Sequence, residues 1–204
     1  MTKESRKRKN RTRIGKLLSE SALIVFSVLL ALFISEWRND YNENKQTQVI
    51  IKNIREEISE NQKFLETYIP YHEQVKKRIN QAYVQDSLET TFFSDKSFDI
   101  SNVAPNGILQ DRLNNIVWTV AKADKITNRI PLQESKILYE IYDQQNTVNK
   151  TVERIIAFLS SREIHRKESL DESVIVLRTL FNELVGQEKY LNYQYENALK
   201  ELKN

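Results

Sequence analysis

An all-α protein is expected from this sequence: one membrane-crossing helix near the N-terminus, followed by an elongated antiparallel helical bundle with coiled-coil-like seams. Three observations lead there. Residues 17–34 form an almost unbroken apolar run. Only three Gly and three Pro punctuate 204 residues, too few for a turn-rich β fold. Most of the remaining chain places apolar residues at alternating spacings of three and four, the repeat of a helix seam.

The first element is a basic tail, residues 1–16, in which Lys3, Arg6, Lys7, Arg8, Lys9, Arg11, Arg13 and Lys16 face a single acid, Glu4, for a net +7. The apolar run follows. At 1.5 Å per residue its positions make a rod of roughly 27 Å, close to the hydrocarbon thickness of a bilayer. About a dozen Leu, Ile, Val and Phe supply roughly −4 to −7 kcal/mol on the insertion scale, against about +3 for one acid at the centre and less near an end. Glu20 therefore does not veto the span; it sits one turn inside the basic flank, with Lys16 on the same helix face. The next ten residues hold only Arg38 and Lys45 among Glu36, Asp40 and Glu43, so the basic side is expected in the cytoplasm. Trp37 and Tyr41 lie just past the far end, where an interfacial aromatic belt belongs. A cleaved signal would need small residues at −3 and −1, which the stretch from Leu29 to Ser35 lacks. A buried core helix would show a polar face. Within residues 17–35, Glu20, Ser27, Ala31 and Ser35 share a stripe on which a second helix can approach closely, a candidate packing site for a homo-oligomer or another membrane protein.

Residues 36–204 carry 23 bases and 26 acids, so the overall +3 belongs to the tail and no nucleic-acid-binding domain is indicated. The pattern predicts a helix to residue 69, stopped by Pro70, with Ile51, Ile54, Ile58, Asn61, Leu65 and Tyr68 along a seam whose Asn sets register. A second helix over 71–85 carries Val75, Ile79 and Tyr83. Residues 86–107 read as an ordered loop with extended stretches. A helix over 108–123 is expected to bury Leu109, Leu113, Ile116, Val117 and Val120, with Trp118 beside it. After Pro131, Leu138, Ile141, Gln145, Val148, Val152, Ile155 and Leu159 repeat in heptad spacing. The last helix opens on a Ser169/Glu172 capping box and carries Leu170, Val174, Leu177, Phe181, Leu184, Glu188, Leu191, Tyr195, Ala198 and Leu202.

Signatures of chemistry are absent from the sequence. His72 and His165 are far apart, outside any metal-binding spacing, and are expected at the surface. Three isolated glycines make no phosphate loop, and no nucleophile elbow occurs. The pairs Glu56-Glu57 and Asp171-Glu172 read as a solvated face and a helix start. Without Cys there is no disulfide, thiolate site or Cys nucleophile. Tyr195 belongs to a seam, while Tyr190 and Tyr193 suit an exposed surface. No cofactor or metal is expected, and the chain is not expected to be an enzyme.

The stretch from Glu20 to Asn39 resembles an uncharacterised family of single-span proteins found chiefly in Bacteroidota. Its pattern is matched by Glu20, Ala31, Leu32, Ile34 and Trp37, while Ser19 and Ser27 stand where the family usually has Gly. Residues 118–122, followed by Leu138, Ile141 and Tyr142, look like the family's downstream pattern, with Lys125 in place of a Gly. The resemblance implies inner-membrane residence in a Gram-negative cell and brings no activity. The expectation is a scaffold or protein-interaction module in the bacterial envelope, single-pass, its N-terminus cytoplasmic and residues 36–204 periplasmic, with the bilayer and a protein partner or second copy as its contacts. Two rivals are a periplasmic ligand-sensing bundle and a phage-type lysis component.

Overall fold

The computed structural model describes the backbone of residues 3–94, 97–108 and 113–202, and the side chains of 20–93, 98–108 and 113–202. It is all-α apart from one two-residue ladder. The elements are α1 (Lys3–Val84), α2 (Leu88–Phe92), β1 (Phe93–Ser94), β2 (Ser97–Phe98), α3 (Ile116–Ala123), α4 (Leu132–Leu159) and α5 (Leu170–Glu201), with 3-10 turns at Ile126–Asn128 and Lys167–Ser169. The chain divides into two units, Met1–Val49 and Ile50–Asn204, and the boundary falls inside α1.

The first unit is the N-terminal part of α1. It contains the one helix among the described residues that is long and apolar enough to cross a membrane. Leu23, Phe26, Leu29 and Phe33 on its successive turns are all more than half exposed.

The second unit is built on the C-terminal part of α1 with α4 and α5. Tyr142 on α4 reaches Glu57 on α1 and Gln145 reaches Asn61, so these two helices run parallel. Opposite them, α5 runs antiparallel: Glu188 meets His72, and Arg178 lies over Tyr83. On α4 and α5, Arg154 pairs with Glu183 and Gln145 with Tyr195, again antiparallel. Residues 85–131 return the chain to the start of the bundle, which makes the parallel pairing possible. All ten seam positions expected on α5 are buried, and α4 buries every expected position except Leu159, which is half-buried.

Three local expectations are corrected. Pro70 does not stop the helix, which continues to Val84. Pro70 is exposed, as is Glu66, the residue whose carbonyl loses the proline's N–H, so water can satisfy that carbonyl. The helix ends instead where Asp86 turns left-handed, at φ +53°, and the Ser87 N–H bonds back to the Ala82 carbonyl. The helix expected over 108–123 begins only at Ile116 and buries a different face: Trp118 and Ala121 are inside, while Ile116 and Val120 are 68% and 46% exposed. Leu109 lies outside the described residues. The Ser169 capping box does not form, because a 3-10 turn precedes α5 and the Ser169 hydroxyl donates to the Glu163 carbonyl.

Candidate functional site

In the first unit, Glu20, Ser27, Ala31 and Ser35 all lie on α1 with exposed side chains, and at 3.6 residues per turn they fall within about 80° of one another. The Ser27 hydroxyl donates to the Leu23 carbonyl at 2.8 Å, so its polar group is satisfied inside the helix and the surface it offers is apolar. Trp37 and Tyr41 are 68% and 64% exposed. The proposed partner of Glu20, Lys16, has its side chain outside the described residues.

In the second unit the sequence reading placed polar residues on the outside that the structure puts inside. Glu57 is buried although Glu56 beside it is exposed. Its carboxylate accepts from the backbone N–H of Val117 at 2.8 Å and of Trp118 at 3.4 Å, and from the Tyr142 hydroxyl at 2.6 Å. Those two N–H groups belong to the first turn of α3, whose N-cap residue Asn115 contributes no side-chain bond. Glu57 therefore caps α3 from a different helix, supplying both an acceptor and a negative charge where the helix dipole is positive. Burial, followed by the bond to Glu57 and that carboxylate's charge, raises the Tyr142 hydroxyl far above the ordinary phenol range and keeps it a donor at neutral pH.

One turn further along α1, Asn61 brackets the backbone of Asn114. Its Oδ1 accepts from the Asn114 N–H at 2.8 Å, and its Nδ2 donates to the Asn114 carbonyl at 2.7 Å. Gln145 donates to the same carbonyl at 2.9 Å and accepts the Tyr195 hydroxyl at 2.6 Å. Burial raises that hydroxyl as well. Asn61, expected to set register along a seam with another helix, puts both ends of its amide on the backbone of the crossover.

The third clamp is His72, expected at the surface and fully buried. Its Nδ1 lies 2.8 and 3.0 Å from the two Glu188 oxygens, and its Nε2 lies 2.7 Å from the Ile108 carbonyl. A carbonyl oxygen only accepts, so Nε2 donates to it, while Nδ1 faces the Glu188 carboxylate. Beside it the Tyr71 hydroxyl donates to the Gly107 carbonyl at 2.7 Å and accepts from the Asn106 N–H. His165 is exposed, as expected, with its ring edge-on to Phe98.

Together, Tyr71 and His72, then Asn61, then Glu57 hold Asn106 to Ile108, Asn114, and Val117 with Trp118 in descending order along α1. Every one of these bonds goes to main chain, and Trp118 completes the packing by stacking on Tyr142 at 4.9 Å. Such an arrangement positions a crossover, with the imidazole of His72 and the carboxylates of Glu57 and Glu188 all buried. The signal available in sequence was the interruption itself, an acid at 57 and a His at 72 on the face that carries Ile54, Ile58, Leu65 and Val75. Comparison with family models, with curated proteins and with solved structures finds no match to this chain.

Proposed function

We propose that the chain is a membrane-anchored helical scaffold or protein-interaction module of a bacterial envelope, single-pass, with its N-terminus in the cytoplasm and the unit from Ile50 in the periplasm. One observation carries this reading: an unburied apolar helical stretch of bilayer length in a chain whose second unit turns its buried acids and its buried imidazole inward, onto its own backbone. Eight bases ahead of the stretch support the orientation. The groups that would have to supply acid–base chemistry are engaged in holding the crossover, which favours a structural over a catalytic role.

The absence of Cys makes the test direct. Full-length protein in its own membranes should resist alkaline carbonate extraction. A single cysteine at Lys150→Cys should react with a membrane-impermeant maleimide once the outer membrane is permeabilised, while Thr2→Cys should react only after lysis. A photo-crosslinking residue replacing exposed Ile116 or Tyr139 should yield adducts of discrete mass. Release by carbonate, the opposite labelling pattern, or no adduct from any exposed face overturns the proposal.

A further inference from the structure

We draw no further inference here: the strongest candidate, the exposed apolar outer face of α3 at Ile116 and Val120 with Leu132 at the start of α4, carries nothing because nothing in the structure shows what covers it.

Discussion

Replacing Glu57 with Ala removes the acceptor for three buried donors at once: the N–H groups of Val117 and Trp118 and the hydroxyl of Tyr142. A lost helix cap costs about 1–2 kcal/mol, and a buried donor left without a partner about 1–3 kcal/mol. The 3.4 Å bond to Trp118 is the weakest of the three and contributes least. Partial water entry into the vacated space offsets some of the rest, so the net expectation is a loss of about 3–5 kcal/mol. For a protein of this size that lowers the melting temperature by roughly 8–15 °C. Glu57→Gln keeps one oxygen but turns an NH2 group toward donors, and should fall near half that loss. The internal reference is Glu56→Ala, one residue away: Glu56 is 61% exposed and pairs with Lys52 at 3.8 Å, so its removal should stay within about 0.5 kcal/mol. The assay is urea unfolding of the full chain in micelles, in a Trp37→Phe background where Trp118 is the sole indole. Should Glu57→Ala unfold at the same midpoint as Glu56→Ala, the trans-cap argument is refuted.

His72, the buried tyrosines of the clamps, and Lys125 outside them give three further outcomes. His72→Phe leaves the Glu188 carboxylate buried and unpaired and should cost about 3–5 kcal/mol, whereas His72→Phe with Glu188→Leu should cost less than that single change, measured by the same unfolding. Tyr142 and Tyr195 both have raised hydroxyls in the folded state, so stability from them is fully present below the ordinary phenol range and is lost as pH rises above about 10, where only the unfolded chain ionises readily. The slope there should reach about 1.4 kcal/mol per pH unit for each tyrosine and should flatten in Tyr142→Phe and Tyr195→Phe, followed by tyrosinate absorbance during alkaline unfolding. Lys125 adopts a left-handed φ of +55°, a conformation that penalises a Cβ; Lys125→Gly should leave stability equal or raise it by about 0.5 kcal/mol, and Lys125→Val should lower it by about 1 kcal/mol.

Read in sequence alone, the chain disclosed its helical class, its apolar N-terminal run, and the buried faces of α4 and α5. Each of these depends on local periodicity: an apolar side chain gains by leaving water whichever apolar neighbour it meets, so the repeat alone predicts which face turns inward. The run-through at Pro70, the shortened α3 and the failed capping box at Ser169 depended on what lies across from each backbone group, and local residue type misjudged all three. Tertiary structure also decided the places of Glu57 and His72. A buried polar side chain is tolerated only when a specific partner meets it, and those partners are main-chain atoms at residues 108, 117 and 118 and a carboxylate at 188, between 36 and 116 positions away along the chain. Hydrophobic burial is non-directional and therefore visible in composition and spacing. Hydrogen-bond satisfaction is pairwise and directional, and only the folded chain brings its pairs together.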